Sequence, residues 1–316
     1  MQTVYPDYYP SFHCIAGACR HSCCIGWEID VDAQSVQRYE RTAGAIGEKL
    51  RACVSKEGTP HFVLCDGERC PFLNGENLCE LILTLGEDSL CEICAKHPRF
   101  YNSYPGRTEI GIGLCCEEAA RLILSKREPV RLITEEGSEP EVDPDDILFA
   151  VRERAIGMLQ DRSRPFWRRT DDVAAFCAAS EQTFDLSLWC DFLLRLEHLD
   201  EDWTCLLKRL KAQCQTLDWD SFQGYMEDRM TEYEQFAVYL VYRYAANAED
   251  AESLAARIAF SVLGARLLFE LGALLYAEKG DFSFADQVEL ARLFSSEIEY
   301  SEQNIEDVLS YLSELI

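Results

Sequence analysis

The sequence predicts a mainly α-helical protein. A cysteine-rich, loop-rich N-terminal metal-binding region spans residues 1–135, and a C-terminal α-helical bundle spans residues 141–316. Three observations predict it. Of the 16 cysteines, twelve fall between Cys14 and Cys116. From Ile147 onward apolar residues recur at helical spacing, with no convincing run of period-two alternation. Between these regions the stretch 134–143 (TEEGSEPEVD) is polar and contains Gly137 and Pro140, so it reads as a linker or exposed loop.

In chain order, short helices are expected to start near Asp32 and near Cys116. Glycine- and proline-rich loops should separate them, with little regular sheet. Beyond the linker, Asp143-Pro144 offers an N-cap acceptor followed by a proline at the first helical position. Ile147, Val151, Ala155, Met158 and Leu159 then repeat on one helical face. Further amphipathic stretches cover residues 184–199, 203–217, 233–246, 254–277, 284–298 and 305–316. The run 258–277 is the most apolar, but Arg266 and Glu270 interrupt it. A buried helix fits that pattern better than a membrane span.

Composition narrows the function. At 316 residues with 48% hydrophobic content, the chain suits one large domain or two ordinary ones with a full core. A net charge of −26 repels phosphate backbones, so no nucleic-acid partner is expected. The acid is uneven: residues 1–140 carry a net −7 and residues 141–316 a net −19. Such a field favours solubility and would welcome a lysine-bearing substrate. The opening Met1-Gln-Thr-Val-Tyr-Pro-Asp has neither a basic n-region nor an apolar h-region, so no signal peptide is expected there. The expectation is a cytoplasmic protein away from the membrane, whose reduced thiols bind metal rather than form disulfides.

The thiols cluster. Cys14-x4-Cys19-x3-Cys23-Cys24 leads into Gly26-Trp27, and Cys65-x4-Cys70-Pro-Phe-Leu is followed by Cys79. Cys91-x2-Cys94 leads to His97-Pro98-Arg99, and Cys115-Cys116 closes the series. Thiolates are soft ligands suited to zinc, copper(I) and iron–sulfur clusters. A structural zinc or a cubane cluster takes four of them. Twelve candidates exceed the needs of one site, so either two sites exist or several thiols are merely buried. The C-x3-C-x2-C pattern of radical enzymes is broken, because Gly26 stands where its third cysteine would be. Cys91-x2-Cys94 lacks the βαβ context of a thioredoxin, and no dinucleotide or P-loop fingerprint occurs. Cys177, Cys190, Cys205 and Cys214 fall on helical stretches and are expected to be small buried residues, as is Cys53. His97 is a ligand, a base or a packed ring. Trp27 is core or a lid over the site. Tyr5, Tyr8, Tyr9 and Phe12 are expected to pack.

Four motifs in this order carry a family resemblance: the Cys23-Cys24 doublet, the CPFL segment with its LCE, the CAKHPR segment, and LCCEEAARL. Together they resemble the flagellin lysine-N-methylase (FliB) family, within a broader group of zinc- or iron-chelating proteins with a C-x-x-C-x-x-C-C type motif. The specific motifs cover residues 4–125, and the resemblance continues weakly into the helical part. It implies transfer of a methyl group from S-adenosylmethionine to lysine ε-amines of flagellin. It also implies an iron–sulfur cluster of the four-iron type, with zinc as the alternative. Carried over by position, the metal ligands would be Cys14, Cys19, Cys23, Cys24, Cys70, Cys79, Cys94 and Cys116. Cys65 and Cys91 look like additions. The first motif is looser than the group's, and the proline that follows the last cysteine in the family is missing here; Cys116 is the better match to that cysteine, one residue from Cys115.

Methyl transfer to lysine needs a base, and Glu28, Asp30, His97 and Glu117 are the candidates near the motifs. The alternatives are a non-catalytic zinc- or iron-binding protein whose helical half binds a partner, and a redox sensor using vicinal thiols such as Cys23-Cys24 and Cys115-Cys116.

Overall fold

Asp32 starts the first helix, as expected. In the computed structural model, which describes residues 2–135 and 147–316, its carboxylate accepts the Ser35 N–H at 2.9 Å and caps α1 (Ala33–Arg41). The other oxygen accepts the Glu92 N–H at 2.9 Å, which fixes the start of a later helix to the same point. Helices α2 (Gly44–Cys53), α3 (Glu80–Leu85) and α4 (Glu92–Lys96) follow. They belong to a compact unit made of residues 13–100 and 116–118. Most of the unit is irregular chain. Gly47 shows how closely it packs: a Cβ there would stand 1.9 Å from the Thr42 carbonyl oxygen.

The remaining described residues, 2–12, 101–115 and those within 119–316, form a second unit. The division therefore falls elsewhere than the boundary expected between residues 135 and 141. The reason is a four-stranded sheet, more regular than the loops expected. Strands β1 (Gln2–Pro6), β2 (Arg99–Tyr104), β3 (Arg107–Ile112) and β4 (Leu132–Glu135) lie in the order β2-β3-β1-β4. β1 runs parallel to β3, with Gln2 opposite Arg107, and antiparallel to β4, with Tyr5 opposite Ile133. This pairing draws the chain before and after the cysteine segment into one unit. β3 escapes recognition because its inward residues include Arg107 and Glu109, which break the apolar alternation. Glu109 is fully buried between the guanidinium groups of Arg107 and Arg152.

The helix expected near Cys116 is α5 (Glu117–Ser125). Thr134 and Glu135, placed in the linker by their polarity, end β4 instead. The rest of that linker and the Asp143-Pro144 cap lie outside the described residues. Helices α6 (Ile147–Leu159), α7 (Phe166–Phe176), α8 (Leu186–Leu193), α9 (Glu201–Gln213), α10 (Trp219–Tyr225), α11 (Thr231–Tyr244), α12 (Ala251–Lys279), α13 (Phe284–Phe294) and α14 (Glu302–Leu315) complete the unit. Among the described residues no strand follows β4, so a mainly α fold with a small sheet is what the sequence folds into. α7 was masked by charge, since its buried face includes Arg169, whose guanidinium meets Glu234 at 2.6 Å. α10 was masked by its brevity. The expected helix 284–298 stops at Phe294 and passes into a π-helical turn, Ser295–Glu299.

α12 is the centre of this unit and packs against α11, α13, α14 and α9. Among the described residues it is the one helix long and apolar enough to cross a membrane, yet 89% of its apolar window is buried in protein. Asp250 and Ser253 form a capping box at its start, and Gly280 adopts the left-handed conformation (φ 75°) at its end. Gly272 lets the Phe222 ring approach to where a Cβ would be 2.9 Å away.

Candidate functional site

The cysteine-bearing unit has a small apolar core: Ile29, Val31, Tyr39, Leu50, Phe62, Phe72 and Leu81, with Cys70 and Cys91 buried among them. Cys24, Cys79 and Cys94 pack against this core. Backbone bonds bring these thiols together from three segments. The Cys70 N–H donates to the Cys24 carbonyl at 2.8 Å. The Glu80 N–H donates to the Phe72 carbonyl at 2.8 Å, placing Cys79 beside the Cys70 turn. Arg38 holds the carbonyls of Ser89 and Leu90 at 3.1 and 2.7 Å, which sets the start of α4 and its two cysteines.

Cys14, Cys19, Cys23 and Cys116 form a different neighbourhood. Its tie is Arg20, whose backbone N–H and Nε donate to the two oxygens of Glu117 at 2.8 and 2.9 Å. That clamp sets Cys19 beside Cys116. Cys19 lies within electrostatic reach of Cys116 and Cys14, and Cys23 within reach of the same two. Cys14 and Cys23 are exposed, whereas Cys19 and Cys116 are half-buried. The Cys14 sulfur accepts the Ala16 N–H at 3.4 Å.

Burial and neighbouring sulfurs set the thiol acidities. Burial pushes Cys19 up to about 12, and the Cys116 and Cys14 thiols reinforce it. Burial likewise pushes Cys70 up to about 12 and raises Cys79. A thiol–thiol hydrogen bond raises Cys23 and lowers Cys24, which Arg69 also favours as thiolate. A second such bond raises Cys94 and lowers Cys91. Metal binding would have to displace these protons.

The donors fit a thiophilic metal in kind and number. Their present arrangement is not a closed site: among the described residues no three histidine, cysteine, aspartate or glutamate side chains are placed to hold one ion. The eight expected ligands therefore do not converge on one point. All 16 cysteines are free thiols.

The base candidates divide as well. Glu117 is spoken for by Arg20; burial works to raise its carboxyl, but the bonds from Arg20 bring it below its ordinary value. Burial pulls His97 down to about 4, so its imidazole is neutral at pH 7. Its ring centroid lies 5.9 Å from that of Trp27, whose Nε1 donates to the Cys23 carbonyl at 2.7 Å. Glu28 and Asp30 are exposed; Glu28 stands 3.9 Å from the His61 ring, and Asp30 is opposite His61 in a one-residue bridge.

Two features were not anticipated, and a third agrees with the preference for Cys116 over Cys115. Cys91, set aside as an addition, is buried with Cys70, and its C-x2-C spacing to Cys94 was the available signal. Nothing in the spacing pointed to the Arg20 clamp. Cys115 belongs to the helical unit, where it hydrogen-bonds Tyr300, while Cys116 joins Cys19. Elsewhere, Cys177 and Cys190 are buried as expected, but Cys205 is exposed. Cys65, also exposed, neighbours Cys53 instead of the larger sets. Neither of the two best-formed clefts among the described residues holds a thiol. One of about 350 Å³ is lined by Arg154, Asp161, Arg164, Arg169 and Asp172, and one of about 430 Å³ by Gln34, Gln37, Arg38 and Arg41.

Comparison with known proteins places the helical half first. Residues 182–315 match the FliB lysine N-methylase C-terminal domain. The chain is 28% identical over 139 residues to a lysine-N-methylase of Salmonella typhimurium, an alignment covering 40% of this chain and 33% of that one. It is 27% identical over 138 residues to the flagellar biosynthetic protein FliU of Salmonella muenchen, covering 40% of this chain and 79% of FliU. The chain thus spans about a third of the length of the Salmonella lysine-N-methylases it matches. No solved structure matches.

Proposed function

Because the chain belongs to the FliB family of lysine N-methylases, we propose that it methylates lysine ε-amines of flagellin in the cytoplasm, with S-adenosylmethionine as donor. The family match supports the lysine chemistry, and the name of the FliU relative supports a flagellar substrate. The observation that carries the reading to a place in the molecule is the exposed thiol set, Cys14, Cys19, Cys23 and Cys116, clamped by Arg20 on Glu117. Its Cys14 and Cys23 are exposed to a protein substrate, whereas Cys70 and Cys91 are buried in the core.

In the reaction the deprotonated lysine nitrogen attacks the methyl carbon. The nitrogen–carbon bond forms as the sulfonium's sulfur–carbon bond breaks, and the lysine proton passes to a base. Glu117 is ionised but paired with Arg20, so the clamp is a structural tie and not a free charge for the substrate ammonium. His97 lies against Trp27, but the burial that pulls it down to about 4 makes it a poor acceptor for the lysine proton, which passes to solvent instead. Arg20 holds Glu117 in place and so positions the Cys116 turn. Were these thiols to draw together around an iron–sulfur cluster, Cys14, Cys19, Cys23 and Cys116 would hold it and it would supply a Lewis-acidic iron.

The test is direct. Anaerobically purified protein is incubated with S-adenosylmethionine and flagellin, and flagellin peptides are examined by mass spectrometry. Methyl-lysine that depends on both enzyme and donor supports the reading. Its absence with metal-loaded protein would leave a metal-binding protein whose helical half serves a partner.

A further inference from the structure

Helix α3 (Glu80–Leu85) has the sequence ELILTL and is apolar nearly all round. A helix of that composition is ordinarily covered on every side. Here only Leu81 is buried, at 2% exposure, where it joins Phe72 in the core. Leu83 stands two residues on, and so on the far side of the helix, and is 62% exposed. Leu85 and Ile82 are 40% and 39% exposed. Single exposed leucines need no explanation, but three apolar side chains within four residues of one short helix do. The surface is also held in place. The Ser89 hydroxyl donates to the Gly86 carbonyl at 2.6 Å, and Gly86 takes a left-handed conformation (φ 87°) that turns the chain directly after the helix.

Carboxylates rim these leucines. Glu87 and Asp88 follow α3 and are exposed, and Glu76 is exposed just before it. Among the described residues no cation pairs with any of the three, whereas Glu80 is already matched by Lys49 at 2.5 Å. An apolar surface with an unmatched acidic rim selects a segment that is apolar on one face and cationic beside it. Its place in the unit fits a substrate. A Cβ on Gly17 would stand 2.9 Å from the Glu76 carbonyl oxygen and 3.3 Å from the Leu78 side chain. The loop between Cys14 and Cys19 therefore lies against the segment that leads into α3.

From this composition and placement we infer that α3 and the turn after it are the docking surface for the protein substrate. The occupant is a segment of flagellin that is apolar on one face and carries lysine beside it. Ile82, Leu83 and Leu85 take its apolar side chains, and Glu76, Glu87 and Asp88 take its ammonium groups. The occupant's identity rests on the proposed methylation of flagellin lysines. The surface gives that reading a means of holding the substrate close to the Cys14–Cys19 loop. Docking of this kind adds affinity without touching the chemical step, so its loss shows in KM and not in kcat.

Binding of purified flagellin monomer to the full-length protein is measured by biolayer interferometry at low and high salt. Light scattering of the protein alone and methyl transfer are followed in parallel. Wild type should bind, more tightly at low salt. The Leu83→Glu, Leu85→Glu variant should weaken binding about tenfold or more. The Glu87→Lys, Asp88→Lys variant should weaken it about threefold and remove most of the salt dependence. All four side chains are exposed, so both variants should keep the wild-type circular dichroism. In the transfer assay KM for flagellin should rise with kcat unchanged. Three results would overturn the proposal: no flagellin binding by wild type, equal binding by the folded variants, or a wild-type dimer that the double leucine variant splits into monomers, which would give the face to a second copy. Wild type that binds flagellin through α3 but transfers no methyl group would instead sink the activity and leave the docking surface standing.

Discussion

In the helical unit, buried charge is matched by buried charge. Glu109 sits between Arg107 and Arg152, and Glu234 between Arg162 and Arg169 at 2.8 and 2.6 Å. Around them lies an apolar core built on one helix of 29 residues. In the cysteine-bearing unit the core is a handful of residues, and the polar atoms buried in it include the thiols of Cys70 and Cys91. The first unit carries its own stability. The second is a loop assembly rich in free thiols. A large core frees the helical half from any ligand, whereas a small core would couple folding to metal binding if the thiols take a metal.

The largest effect that sharpens this contrast is metal removal. Stripping thiolate-bound metal should cost the cysteine unit an amount on the order of 10 kcal/mol and leave the helical unit folded. Hydrogen exchange would show protection lost across residues 13–100 and kept in α11 and α12. Loss of protection in both would erase the contrast. Next is Glu234→Ala, which leaves Arg169 buried without its carboxylate and should destabilise the helical unit by about 3–5 kcal/mol, read by denaturant unfolding. Gly47→Ala drives a Cβ into the Thr42 carbonyl and should cost the cysteine unit about 1–3 kcal/mol, visible as a lower unfolding midpoint with the helical transition unmoved.

The smallest effect is a pH dependence. Burial raises the Glu270 carboxyl to about 7, with Arg266 opposing. The folded state therefore keeps a proton that the unfolded chain has already released. Its contribution to stability is full below the ordinary carboxylate range and is lost as pH rises to about 7. Glu270→Gln should flatten that slope and add on the order of 1 kcal/mol at pH 8 relative to wild type. An unchanged slope would mean that this carboxyl is solvated.

Much of the helical half was legible because periodicity survives burial: the stretches around Ile147, Trp203, Tyr233, Leu254 and Ile305 all became helices. α7 and β3 were not, because each carries a buried charge where the pattern demands an apolar residue. Arg169 finds Glu234, and Glu109 finds Arg152, from sequence separations no local pattern encodes. The cysteine spacing told that a thiol site exists. It favoured Cys116 over Cys115, but it did not tell that Cys116 stands by Cys19 or that Cys91 is buried with Cys70. Those choices are made by the Arg20–Glu117 clamp and by packing on Phe72 and Leu81.

The central claim is that lysine methylation takes place at the exposed thiol set. Its most direct test follows methyl transfer to flagellin by wild type and by the Cys14→Ser, Cys116→Ser variant, each with its metal content known. Wild type should methylate flagellin, and the variant should lose that activity while keeping its fold. Equal methylation by a folded variant lacking these two thiols would contradict the account.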